Sequence, residues 1–222
     1  MAVACHCGRI IERMVETVRY NYRLRPGAVA ERALVEEWHR CRFLWNEAVH
    51  QQRSGAKATL CALSKLLTEA RGRFAWLRAG SQVAQQQALR TYAAALNHSY
   101  KVTGRRKPTV KARKKALPSL EYTTRGFSIR DNRLRLPNGV VIPVVWSREL
   151  PSDPSSVRVY RDSLGHWYAS FVVRRDVGPA PVVIAAIGID WGVRTTATTT
   201  PLRDATVRSE LEIPPALAVG KG

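Results

Sequence analysis

The sequence predicts an α+β chain in which one strand leads into three consecutive helices and then into a run of short strands. Apolar residues recur at three- and four-residue steps between about Ala28 and Tyr100, the period of an amphipathic helix. After Ala116 the period changes to two, with turn residues between the runs. Apolar material is ample for a core, since 45% of the 222 residues are hydrophobic. That composition excludes a disordered tail, a collagen-like repeat and a disulfide mini-protein.

Residues 1–13 show no clear period, and strand-like alternation begins directly after Met14, running through Tyr20, Tyr22 and Leu24 to Pro26-Gly27. Met14 is therefore expected to be the true start and residues 1–13 a non-native extension. From Ala28 to Ser54 the residues Leu34, Trp38, Cys41, Leu44, Trp45 and Ala48 mark one helix face, with Arg40, Arg42 and Glu47 outside it. A second helix is expected over Thr59 to Arg71, with Leu60, Leu63, Leu66 and Leu67 facing inward. A third runs from Ser81, a candidate N-cap, to about Tyr100. Residues 28–100 thus read as a small bundle. With no base-reading residues identifiable, they read as scaffold rather than as a helix-turn-helix.

Lys101 to Lys115 reads KVTGRRKPTVKARKK, with eight basic residues and no acidic one, and Gly104 and Pro108 break any helix. Like charges so closely spaced repel one another, so this linker is expected to stay extended and to order mainly against phosphates. A flexible interdomain linker with incidental charge is the plainer reading. Phe127 to Arg130 and Arg133 to Leu136 then alternate around Asp131-Asn132, a hairpin signal, and Pro137-Asn138-Gly139 turns the chain into Val140 to Trp146. Val157 to Arg161 and Trp167 to Arg174 flank a further turn at 162–166. Regular short strands over 116–176 argue for a small barrel or sandwich. Arg130, Arg133 and Arg135 would form a basic surface among them, or simply the wet face of the sheet.

Asp176 to Pro181 is a boundary rich in Pro and Gly. Val182 to Ile189 is a continuous apolar run, suited to a strand buried on both faces, and it ends in Asp190-Trp191-Gly192. A carboxylate at the end of a buried strand is costly unless paired or holding a metal, which makes Asp190 the one candidate catalytic group; otherwise it is a turn former before Gly.

The charge balance is 36 Lys and Arg against 17 Asp and Glu, a net +19. Residues 1–100 carry 15 basic and 7 acidic groups, residues 101–150 carry 13 and 3, and residues 151–222 carry 8 and 7. An excess peaking mid-chain suits a polyanion, because each neutralised phosphate releases counterions. Nucleic acid is the expected partner, against a merely solubilising basic surface. No apolar run reaches membrane-spanning length, and Arg9, Glu12 and Arg13 interrupt any secretory signal, so a cytoplasmic protein without a membrane partner is expected. Cys5, Cys7, Cys41 and Cys61 lack paired C-x-x-C spacing and read as reduced structural thiols; Cys5-His6-Cys7 has no second ligand pair for a metal.

Taken in order, several segments resemble the TnpB/OrfB transposon-encoded family, compact relatives of CRISPR type V effectors. Tyr22-Arg23-Leu24-Arg25-Pro26 is similar to its opening strand, and Arg42-Phe43-Leu44-Trp45-Asn46 resembles its Arg-x-x-Tyr/Trp-Asn signature. Gly104 to Pro108 with Lys111 is like its basic Gly-x-Pro-x-x-Lys stretch, and Ser156 to Phe171 resembles its wedge hairpin. Ile187 to Val193 with Ala197-Thr198 resembles its first RuvC motif. The resemblance implies a wedge-type β-barrel from residues 14–27 and 116–176, interrupted by the helical recognition insertion 28–100 and the basic linker 101–115. Residues 182–200 would begin an RNase H-like RuvC domain, and 201–222 match no family element. It further implies a transposon-end guide RNA and a target DNA as partners, bound through Arg105, Arg106, Lys107, Lys111, Arg113, Lys114, Lys115, Arg130, Arg133 and Arg135. Full-length members would hold Mg in a carboxylate site, with Asp190 as the first ligand, and a structural Zn; this chain is expected to hold no cofactor.

The family's later catalytic Glu and Asp and its two C-x-x-C pairs would lie beyond Thr200, whereas the chain ends at Gly222. Asp204, Glu210 and Glu212 are too near in sequence to replace them, and one carboxylate cannot hold two metals. The expectation is therefore a truncated TnpB/OrfB-like protein that binds nucleic acid and does not cut by itself, Asp190 being vestigial. Three alternatives stand beside it: the first part of a complete nuclease restored by frameshifting or a second polypeptide, a generic basic RNA-binding protein, and a non-functional relic with exposed strand edges.

Overall fold

Alternation in the first strand, β1 (Met14–Leu24), turns Tyr22 and Leu24 into a core and leaves Asn21 and Arg23 outside. The computed structural model describes residues 14–56 and 58–177, together with the backbone of 187–190, 197–201 and 209–211. Two units result, 14–176 and a second one that contains the three later strands.

In the first unit, β1 is followed by four helices, α1 (Ala28–Arg53), α2 (Leu60–Arg73), α3 (Ala75–Arg78) and α4 (Gln82–Lys101). The chain then returns through β2 (Ser119–Thr123), β3 (Ser128–Arg130), β4 (Arg133–Leu136), β5 (Val140–Val145), β6 (Ser156–Arg161) and β7 (Trp167–Val177). The strands form one seven-stranded sheet in the order β2-β6-β7-β1-β5-β4-β3, curled into an antiparallel half-barrel. The small barrel or sandwich expected from sequence is thus an open half-barrel, with β2 and β3 at its two edges. Helices complete the core instead, since Leu34, Trp38 and Cys41 of α1 and Ala84 of α4 pack with Tyr22, Leu120, Ile142, Val159 and Phe171 of the strands.

Two hairpins owe their tightness to left-handed residues. Asp131 and Asn132 have φ of 53° and 58°, the pair of positive angles that a two-residue turn between right-twisted strands requires, and in the three-residue turn between Leu136 and Val140 Asn138 and Gly139 have 63° and 73°. The β6–β7 turn is held by Asp162, whose Oδ1 accepts the amides of Leu164 at 3.0 Å and His166 at 2.8 Å.

A second core lies among the helices, where Leu44, Trp45, Ala48 and Val49 of α1 meet Leu63, Leu66 and Leu67 of α2 and Leu89, Tyr92 and Leu96 of α4. Leu60, expected inward, is 56% exposed. It stands at the first position of α2, on the wall of an open groove shared with Leu96 and Tyr100, where the described residues leave more than half of it exposed. The expected three helices are four, because α3 is a single turn of four residues, too short to show a period. Its carbonyls are caught by two arginines: Arg40 Nε donates to Trp76 O at 2.8 Å, and Arg71 donates to Leu77 O at 2.9 Å and Arg78 O at 3.3 Å.

Those arginines belong to a buried polar hub. Glu37, 5% exposed, accepts the Ser81 amide at 3.0 Å and bonds to Arg40 at 3.3 Å and Gln85 at 3.4 Å. Burial pushes its carboxyl above the ordinary value, opposed by the Ser81 amide and by Arg40. Ser81 Oγ in turn caps α4 by accepting the Ala84 amide at 3.3 Å.

In the second unit β8 (Ile187–Asp190), β9 (Ala197–Pro201) and β10 (Ser209–Leu211) form an antiparallel sheet in the order β10-β9-β8. Asp190 is opposite Thr198, and Ser209 opposite Thr199. The stretch after 201, which matched no element in sequence, thus contributes a strand. Residues 1–13 with Cys5 and Cys7, the start of the apolar run at 182–186, and 212–222 lie outside the described residues. Among those described, no helix is long and apolar enough to cross a membrane.

Gly80 sits inside the hub, where an added Cβ would stand 2.4 Å from Arg40 Cδ, 2.5 Å from Glu37 Oε2 and 2.7 Å from Gln85 Nε2. These side chains are tied by their hydrogen bonds and have little freedom to retreat. Gly80→Ala is expected to destabilise the unit by about 1–3 kcal/mol. A urea midpoint equal to that of the unsubstituted chain would contradict this.

Candidate nucleic-acid interface

The basic linker leaves α4 through Val102 and Gly104, the glycine at φ +81°. It does not stay free. Trp45 Nε1 donates to Thr109 O at 2.9 Å, and Asn46 reads both backbone groups of Lys111, accepting its amide at 2.8 Å and donating to its carbonyl at 3.3 Å. Arg42 donates to the same carbonyl at 3.3 Å. The expectation that this segment orders mainly against phosphates is corrected: α1 orders it, because three side chains satisfy backbone groups that repulsion alone would leave to water. It is a strap laid on the helix.

The strap divides its cations. Arg105, Arg106, Lys107, Arg113, Lys114 and Lys115 are exposed, whereas Lys111 is partly buried with its ammonium 3.7 Å from the ring centre of Trp45 and 4.9 Å from that of Trp38. Such faces attract a cation electrostatically. Burial, and secondarily Arg158, nevertheless push the Lys111 amine down to about 8. Lys107 lies 5.3 Å from the Tyr100 ring.

On the sheet, Arg130, Arg133 and Arg135 are exposed, while Leu134 and Leu136 between them are buried. Arg130 and Arg133 are direct cross-strand partners, and Arg133 is opposite Pro143 of β5. Like charges facing each other across strands are destabilising unless an anion screens them. Arg135 is paired with Asp131 at 3.0 Å. The register adds two residues that sequence reasoning passed over: Arg23 is opposite Val145, and Arg25 donates its amide to Pro143 O at 3.0 Å. Both are exposed, which extends the arginine surface across β1, β5, β4 and β3. The alternation of β1 marked them as outward, but only strand order makes them neighbours of β4.

Asp190 ends β8, and the side chains of that unit lie outside the description. Among the described residues no three His, Cys, Asp or Glu groups come together to hold a metal. Cys41 is buried and Cys61 exposed, each a free thiol. Among the described residues, then, no group of side chains is placed to hold the Mg or the Zn that the resemblance implies for full-length members.

Two measurements test the strap. Asn46→Ala removes both bonds to the Lys111 backbone, so trypsin is expected to cut within 101–115 several-fold faster, with a stability loss of about 1–2 kcal/mol. Lys111 has a folded value near 8, below the ordinary 10.5. The folded state thus releases this proton first, and stability rises as pH climbs from about 8 to 10.5. Partial exposure limits the gain to on the order of 1 kcal/mol, and Lys111→Met is expected to abolish it.

No family model matches the chain. A 127-residue stretch, 56% of the chain, is 36% identical to a Streptomyces pristinaespiralis protein described as "Putative RNA-guided DNA endonuclease". The match covers 31% of that relative, so the chain corresponds to about a third of its length.

Proposed function

We propose that residues 14–177 form a nucleic-acid-binding unit of a TnpB/OrfB-like RNA-guided system, with a guide RNA and its DNA target as ligands. The observation that carries this reading is the strap: six exposed cations held on α1 by Arg42, Trp45 and Asn46. A polycation fixed in advance binds phosphates without first losing its own conformational freedom. The arginine surface of the half-barrel supplies a second set of phosphate contacts. The similarity to the Streptomyces protein supports the RNA-guided class.

Asp190 is proposed as the first carboxylate of a nuclease centre that requires further carboxylates from other strands. The residues described here serve binding and orientation. A transposon-related origin and a preference for transposon-end RNA belong to the same proposal.

Binding of a single-stranded RNA should weaken steeply with salt, the slope counting neutralised phosphates. Replacing Arg105, Arg106 and Lys107 together by Gln is expected to reduce the log K against log salt slope by about 2, at ~0.7 per contact for a single strand. An unchanged slope would remove the strap from the interface. Equal affinity for transposon-end RNA and a scrambled RNA would favour a generic RNA-binding protein.

A further inference from the structure

We propose that the cleft between α1, α4 and the β2–β6 edge binds one internal phosphodiester of a nucleic-acid strand, with the Lys111 ammonium as its charged floor. This rests on the nucleic-acid-binding reading above and assigns a specific subsite to it. The cleft measures about 170 Å³ and is lined by Trp38 and Trp45 of α1, Thr91 of α4, Glu121 of β2, Arg158 of β6 and Lys111. At ~30 Å³ per water it displaces five or six waters, room for a phosphate and its ester carbons but not for a base pair.

Charge balance selects the ligand. Arg158 lies 3.3 Å from Glu121 Oε2, and the Thr91 hydroxyl donates to the same oxygen at 3.5 Å, so these two charges cancel within the cleft wall. Among the described residues no carboxylate forms an ion pair with Lys111. Removing an ammonium from water without an anion is costly, and two indole faces offset only part of that cost. One unit of positive charge therefore remains, and a monoanion neutralises it. An internal phosphodiester carries one negative charge, whereas a terminal phosphate carries nearly two and would leave an excess beside Glu121. The strap brings the pocket into line with the exposed cations, because Lys111 itself belongs to it.

Other titratable groups facing the cleft are Cys41 from α1, Glu121 from β2 and Arg158 from β6; α4 contributes Thr91 and alanines only. Burial pushes the Cys41 thiol well up, so it stays neutral. With Lys111 near 8 in the free protein, an arriving anion favours its charged form, and binding at pH 8 draws in a proton.

The test is calorimetric titration of the full chain with a single-stranded RNA lacking terminal phosphates, in two buffers of different ionisation enthalpy. Uptake of about half a proton is expected at pH 8 and almost none at pH 6. Lys111→Arg, whose guanidinium stays charged, is expected to lose the uptake, and Lys111→Met to lower the salt slope by ~0.7. Wild-type binding with no uptake at pH 8, or uptake that persists in Lys111→Arg, overturns the pocket and leaves the nucleic-acid reading intact. Uptake seen only after a 5′-phosphate is added overturns the choice of an internal phosphodiester. No salt-dependent binding by the wild type overturns both.

Discussion

Helix α1 is the constraint on which the first unit depends, because its one apolar stripe serves two cores. Leu34, Trp38 and Cys41 enter the half-barrel, and Leu44, Trp45, Ala48 and Val49 enter the helical cluster. A 26-residue helix is ~39 Å long, enough to reach across both. An open sheet of seven strands leaves its inner face to be covered, and the helix covers it at about 25 cal/mol for each Å² of apolar surface buried. Every other helix is then placed relative to α1: α2 and α4 by their leucines, and α3 by the arginines that catch its carbonyls.

Residues within and beside that stripe on the same helix carry the polar work. Glu37 and Arg40 organise the hub that starts α4, and Arg42, Trp45 and Asn46 hold the strap. Trp45 joins both roles, since its ring packs edge-on against Tyr92 at 5.2 Å while its N–H holds Thr109. Packing quality in the helical core and the position of the basic strap are therefore coupled through one indole. Like-charge repulsion within the strap works against its docking, and the paired backbone groups of Thr109 and Lys111 offset it.

Much of the helical insertion was legible because helix periodicity is local. Leu34, Trp38, Cys41, Leu44, Trp45 and Ala48 stood out in sequence and are all buried. The Asp131-Asn132 turn was equally legible, since few residue pairs accept two positive φ angles. Leu60 misled because a period identifies a face and not whether something stands against it. The strand β2 passed unnoticed in sequence, with a charged Glu121 inside SLEYT, yet it forms the edge that α4 packs against.

By itself the sequence determined the α+β character, the helix stripe, the turn chemistry and the concentration of positive charge in the middle of the chain, all properties of neighbours within a few residues. Only the tertiary structure decided that the first strand is central in the sheet, that Arg23 and Arg25 join the arginines of β4, and that the 42–46 segment grips the 109–111 segment. It also decided the fate of Lys111, which reads in sequence like its seven basic neighbours and in space lies between two tryptophans. The reason is physical: periodicity is set by backbone geometry along the chain, whereas burial and charge state are set by groups that folding brings from some 65 residues away.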